Sequence, residues 1–453
     1  MNWVNIFGLD IKGINFISLD IKKNAFELFK ALYNNYNELF ILESLHGPKE
    51  MAELSIIGFD PYIRFIAKDR NVEVISREGT KTTYNTEDPL RLLKSIISRV
   101  NDHRFRYIGG AVGYISYDAI NYWEKVNVKK SNYPSMEFGI YTDGLLFDHI
   151  NSKIYYFYLD KPRFNELKIE EMDDDINITN IERNITEEQF VDMVNKAKEY
   201  IHDGDIYQVV LSKRFNMNII GNKLSVYSNL RRINPSPYMY MLKINDREII
   251  GSSPEMLVRT NKGIIETFPI AGTRPISNNK EENERLKREL LNDEKELAEH
   301  TMLVDLARND LGRVCTWGSV KVNELMSIKE FSHVQHIVSH VIGKLNNDKD
   351  AYDALRAVFP AGTVSGAPKV RAIEIIDELE HDPRGPYAGA IGYFSFNGSS
   401  DFAISIRSLF VNGNNAYVQS GAGIVADSIP INEWYETEHK AKAILDAING
   451  CMV

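Results

Sequence analysis

Two stretches of this chain occur twice, in the same order. Residues 109–118, GGAVGYISYD, match residues 388–397, AGAIGYFSFN, through a Gly–Ala–x–Gly–aromatic core. Upstream, residues 58–67, GFDPYIRFIA, match residues 251–260, GSSPEMLVRT. Ordered repetition constrains the fold more than composition does, because each copy must bury its apolar face against another. Two related halves are expected, each supplying strands to one sheet. The first copy has Tyr62 where the second has Glu255, so acid chemistry belongs to the second half and the first is a scaffold and regulatory copy. Short strands interspersed with helices, without a regular βαβ rhythm, indicate an α+β architecture. The expected form is two large, mostly antiparallel sheets packed as a sandwich with surrounding helices.

Local patterns divide the chain. Residues 144–159 read as two strands around a polar turn at Asn151 and Ser152. Residues 160–184 are charged, contain Pro162 and read as a connection, which separates an N-terminal regulatory and scaffold region, 1–165, from a catalytic region, 186–450. A helix then begins: Thr186 caps it with Gln189 three residues on, and Phe190, Val194, Ala197 and Ile201 form one apolar stripe. Gly204 ends it, and residues 205–215 continue as a strand.

The net charge of −10 excludes broad nucleic-acid binding, which needs a basic surface, but leaves room for a local basic pocket. Only Cys315 and Cys451 are present, so a disulfide framework is not expected. No run of 18 apolar residues and no secretory leader are seen, so a cytoplasmic protein without membrane spans is expected.

Acidic helical pairs carry the strongest chemistry. Glu296 and Glu299 stand three apart, as do Glu433 and Glu436, with Lys440 one turn beyond. Each pair can be a solvated face or can hold a divalent cation between the helices. Magnesium takes one or two protein carboxylates and leaves positions for an anionic substrate. Residues 359–380, FPAGTVSGAPKVRAIEIIDELE, are not a nucleotide P-loop: Gly362 and Gly366 are wrongly spaced, and Ala367–Pro368 replace Lys–Ser/Thr. Pro368 suits a helix start whose free N–H groups can face an anion, and Thr363 can add a hydroxyl. Residues 417–428, YVQSGAGIVADS, read as a strand meeting a small-residue turn. Residues 401–410 alternate, which places Ser405 and Arg407 on one face, and an arginine beside a glycine-lined turn can clamp a carboxylate. His333, His336 and His340 lack the HExxH arrangement of a zinc site, and one of them suits proton transfer better. No G-x-S-x-G hydrolase motif is present.

Taken in order, DIYQVVLSKRF, GSSPEML, PIAGTRP, ELAEHTMLVDLARNDLGR, HIVSHVIGKL, PAGTVSGAPKVRAIEIIDELE, YAGAIGYF, AISIRSLF, QSGAGIVADS and EWYETEHKAKA closely resemble the chorismate-utilising enzymes, and among them the anthranilate synthase component I family. The match is dense over residues 187–448. The resemblance implies Mg²⁺ and chorismate, with Glu299 and Glu436 as metal ligands supported by Glu296 and Glu433. It implies Lys440 at the ring carboxylate, and Arg407, Tyr387 and backbone N–H groups of Gly421, Ala422 and Gly423 at the enolpyruvyl carboxylate. Gly272, Thr273 and Thr363 resemble ring-facing positions, with Glu255 the acid for the departing C4 hydroxyl and His336 linked to pyruvate elimination.

Relatives that aminate C4 carry lysine where this chain has Ala271, and relatives that add water carry lysine where it has Gln208. Both substitutions point to amination at C2, giving anthranilate, the first committed step of tryptophan biosynthesis. Residues 41–44 and 234–242 resemble a tryptophan feedback site, with Glu43, Ser44, Pro237, Tyr238 and Met239. No glutaminase centre is recognisable, so a separate glutamine amidotransferase, component II, is the expected partner in a hetero-oligomer. The runner-up is an aminodeoxychorismate synthase component I, and an alternative of another class is a non-catalytic tryptophan-binding regulator.

Overall fold

The computed structural model describes residues 11, 13–45, 53–159, 161–163, 176–331 and 334–451. Among these, the chain forms two twelve-stranded sheets in which every strand pairing is antiparallel. At the middle of the first sheet, strand Glu38–Glu43 pairs with Tyr238–Ile244; at the middle of the second, Gly110–Ile115 pairs with Ala390–Ser395. Residues 1–165 and 186–450 each contribute strands to both sheets, so the sheets run continuously across the two sequence regions.

The Gly–Ala–x–Gly repeat meets its own copy at the centre of the second sheet. Gly113 faces Gly392 in register, and these are equivalent positions of the two copies. Glycine is required there: a Cβ on Gly113 would lie 1.9 Å from the Glu137 carbonyl oxygen, and one on Gly392 2.0 Å from that of Asp401. The other repeated segment crosses between sheets in both halves. Leu54–Phe59 and Arg247–Ser253 lie in the first sheet, and after Pro61 and Pro254 the chain enters Ile63–Lys68 and Met256–Asn261 of the second.

Strand alternation separates two cores. Phe40, Tyr240 and Leu242 face the second sheet, where they join Phe65, Val112 and Phe402. Leu39, Ile41, Met239 and Met241 face outward, under helices Ala25–Tyr33, Leu224–Ile233 and Pro430–Asn449. Each such fully buried side chain contributes roughly 1.5–3 kcal/mol. The Thr186–Gln189 capping box is present on helix Glu187–His202, and Phe190, Val194 and Ala197 bury its stripe. No helix among the described residues is long and apolar enough to cross a membrane.

Three local expectations change. The end of the 160–184 connection is strand Ile176–Arg183, paired with Gln208–Gly221; residues 160 and 164–175 lie outside the described residues. Residues 270–275 form an irregular strand, with the register shifted between Ala271 and Arg274. Gly421 and Gly423 lie inside strand Asn415–Ile424, not in a turn after it. Residues 401–410 are two strands, Ser400–Ile404 in the second sheet and Ser408–Asn412 in the first. Arg407, at φ 55°, turns the chain between them. Alternation is a property of one strand, so it cannot place residues across a crossing between sheets.

Candidate active site

Glu255 stands where the chain crosses from Arg247–Ser253 to Met256–Asn261. Its amide donates to Ser253 Oγ (3.3 Å), and its carbonyl accepts from the Ile404 amide (3.1 Å). Burial raises the carboxyl pKa to about 8, against the pull of the Thr363 hydroxyl and the charges of Lys440 and Arg407. Thr363, in the turn Gly362–Val364, has a buried Oγ1 with no other partner among the described residues.

His336 lies on strand Val334–Lys344 and presents Nδ1 to the Gly272 carbonyl oxygen at 2.7 Å, with Thr273 Oγ1 at 3.1 Å. A carbonyl only accepts, so Nδ1 carries the proton and Nε2 keeps its lone pair in the neutral ring. Burial holds this imidazole below its usual range; the Gly272 carbonyl opposes that shift, while the Arg407 and Lys440 charges add to it. Gly272, at φ 64°, has a left-handed backbone that favours glycine, and a Cβ there would push on the side-chain ends of Leu290 (2.8 Å) and Glu296 (3.0 Å). Ala271 is buried and pairs with Ile337. His340 is engaged elsewhere, 2.9 Å from Glu266 Oε2 and stacked on Phe268; His333 lies outside the described residues.

Arg407 donates through Nη1 to the Lys440 carbonyl (2.5 Å), and burial lowers its pKa against Tyr387, Glu436 and Glu255. Lys440 Nζ donates to the Gly421 carbonyl (3.1 Å) and pairs with Glu436 Oε1 (2.5 Å). Tyr387 is buried, with its phenol over Gly421, where a Cβ would come within 3.0 Å of it. Ala422 points to the opposite face, among Val209, Leu211 and Ile424 under the helices, so only its backbone belongs to the site side. Arg407 and Lys440 thus act electrostatically on both Glu255 and His336.

The carboxylates form two pairs. Glu299 Oε1 accepts from Gln208 Nε2 (3.1 Å), and a Cβ on Gly423 would press on that amide at 2.6 Å. Glu296 lies 3.5 Å from Arg274; burial raises its pKa, and the Glu299 charge raises it further. Glu433 is likewise raised by burial and by Glu436, with the Ser428 hydroxyl and Lys295 opposing. Among the described residues no three His, Cys, Asp or Glu side chains gather closely enough to hold a metal ion. The donor set nevertheless fits a hard cation, because oxygen ligands and repulsion within each pair are what such a charge satisfies, and one or two carboxylates suffice for magnesium.

The residues expected at an inhibitor site lie along one strand pair but on different faces. Glu43 pairs in register with Met239, and Ser44 Oγ donates to the Pro237 carbonyl (2.6 Å). Tyr238 turns toward Asp401, 2.9 Å away, whereas Met239 faces the outer helices. The buried Glu43 carboxylate already accepts from Arg231 (2.8 and 3.1 Å) and from Tyr227 (2.9 Å). Arg231 was not apparent in the sequence: it is 188 residues from Glu43, and no periodicity links them.

Residues 38–446 match the model of the chorismate binding enzyme family. The chain is 46% identical to anthranilate synthase component 1 of Methanothermobacter thermautotrophicus, over 98% of this chain and 96% of that protein. It superposes on the crystal structure of anthranilate synthase component I from Streptococcus pneumoniae with a TM-score of 0.77 at 38% identity, covering 87% of this chain and 92% of the other. The menaquinone-specific isochorismate synthase of Escherichia coli shares the fold, with a TM-score of 0.74 at 18% identity over 97% of this chain and 96% of that one.

Proposed function

The chain belongs to the chorismate binding enzyme family, and from that premise we propose that it is the large component of an anthranilate synthase, converting chorismate and ammonia to anthranilate, pyruvate and water. The observation that carries this reading is the protonation state of Glu255 and His336, two groups that both feel the charges of Arg407 and Lys440. With its pKa at about 8, Glu255 holds a proton at neutral pH, while His336 is held neutral with Nε2 free. An acid and a base are therefore both ready beside the same two cations, Arg407 and Lys440.

Ammonia forms a bond to C2 as the ring double bonds shift and the C4–O bond breaks, and Glu255 protonates the departing hydroxyl. Hydroxide leaves poorly, so this proton lowers the barrier most. Loss of the C2 proton, assigned to His336, then breaks the C3–O bond and releases pyruvate as the ring becomes aromatic. Arg407 and Tyr387 hold the enolpyruvyl carboxylate, and Lys440 serves the ring carboxylate. Mg²⁺ would be held by Glu299 and Glu436, with Glu296 and Glu433 behind them, and when bound supplies charge that holds the ring carboxylate. Ala271 offers no nucleophile, and Gln208, donating to Glu299, offers no base, which supports direct amination at C2.

Relatives named component 1 imply a second component. A glutamine amidotransferase would supply ammonia. Tryptophan would act at the Glu43–Met239 strand pair, its amino group sharing the Glu43 carboxylate with Arg231. The deciding experiment combines purified chain, chorismate, Mg²⁺ and ammonium and identifies the product by chromatography and fluorescence. Anthranilate is expected. An aminodeoxychorismate product or isochorismate would refute the C2 amination, and no turnover with the amidotransferase present would favour a regulator.

A further inference from the structure

Beside Tyr387 lies an ion pair, Arg384 with Glu380, that none of the reacting groups uses. Arg384 is 3% exposed and Glu380 6%. Arg384 Nε and Nη2 donate to the two Glu380 oxygens at 2.9 and 2.7 Å. Its remaining N–H groups leave the pair: Nη1 donates to the Val364 carbonyl (2.6 Å) and Nη2 to the Val210 carbonyl (2.7 Å). Its guanidinium lies 5.6 Å from the Tyr387 ring centroid. Glu380 Oε1 also accepts from the amide and hydroxyl of Ser212, at 2.8 and 2.7 Å.

One guanidinium therefore joins three parts of the site: the turn carrying Thr363, the strand carrying Gln208 and the Tyr387 ring. A buried ion pair adds little net stability, because desolvation consumes most of its Coulomb gain. Its directional geometry is the distinctive contribution here, and a lysine, a point charge without a planar fork, cannot reproduce it.

We propose that Arg384, with Glu380, is a positioning residue that holds the Thr363 turn, the Gln208 strand and Tyr387 at fixed spacing around the substrate. The inference rests on the proposed function for its kinetic consequence. With saturating ammonium and Mg²⁺, R384K should lower kcat by about 30–300-fold while the chorismate KM changes less than about fivefold, since misplacement by an ångström costs rate more than binding. E380Q should show the same split more weakly. In the ligand-free chain, amide exchange at Val364 and Ser365, both bonded within their turn, should quicken at least about tenfold in R384K, with strand Leu54–Phe59 unchanged as control.

Folded R384K with wild-type kcat, or with unchanged exchange at the turn, overturns the inference. If R384K does not fold, E380Q is read by the same two measurements. A wild-type chain that makes no anthranilate defeats the proposed function instead, and exchange at the turn then decides the positioning role alone.

Discussion

His336 Nδ1 lies 2.7 Å from the carbonyl oxygen of Gly272, which stands at a φ of 64°, a left-handed backbone that favours glycine. The tautomer of the histidine is thus set by a backbone group whose position depends on a glycine. This contact fixes the ring so that Nε2 carries the lone pair.

Replacing His336 by asparagine keeps a donor for the Gly272 carbonyl but removes the base. The expected result is a loss of roughly 10²–10⁴-fold in kcat with little change in the chorismate KM. Steady-state kinetics with saturating ammonium test it, and a larger effect on KM than on kcat would assign His336 to binding.

Glu255 links catalysis to stability. Its carboxyl stays protonated in the folded protein up to about pH 8, but ionises near the ordinary carboxylate range once unfolded. Between those limits the folded state binds more protons, so this group makes stability fall as pH rises. E255Q removes that dependence, and its stability relative to wild type should improve from pH 5 to pH 9 by at most about 5 kcal/mol. Urea unfolding at both pH values reads this. The same variant should lose about 10²–10⁴-fold in kcat, and wild-type kcat should decline above about pH 8 as the acid ionises.

Glu299 accepts from Gln208, whose amide carries no charge. Lysine at this position would place an ammonium on a carboxylate assigned to the metal. Q208K should therefore weaken apparent Mg²⁺ affinity by about tenfold or more, measured by titrating chelated enzyme, while E433Q should cost about 10–100-fold as a supporting group. Chelator should abolish wild-type activity, and excess Mg²⁺ should restore it. Activity indifferent to chelator would remove the metal from these four glutamates.

Glu43 is the buried partner of Arg231. E43Q leaves that guanidinium half-paired and should destabilise the chain by about 2–4 kcal/mol, read as a lower urea midpoint. It should also relieve inhibition by millimolar tryptophan while uninhibited kcat stays within about threefold of wild type. Retained inhibition would move the inhibitor elsewhere.

Patterns carried by one element were legible in the sequence by itself. Thr186 and Gln189 announce their helix, the three-residue spacings of Glu296 with Glu299 and Glu433 with Glu436 hold on helices Glu294–Gly312 and Pro430–Asn449, and the two copies of the Gly–Ala–x–Gly repeat are strands that pair, although each half supplies strands to both sheets rather than to one. Only the tertiary structure placed Gly421 and Gly423 inside a strand, broke 401–410 at Arg407, paired Glu43 with Arg231, and joined Arg384 to Val364 and Val210. Capping and periodicity come from bonds within a few residues, which a sequence displays directly. The other contacts form between segments as far as 188 residues apart, so they exist only once sheet register has brought those backbones together.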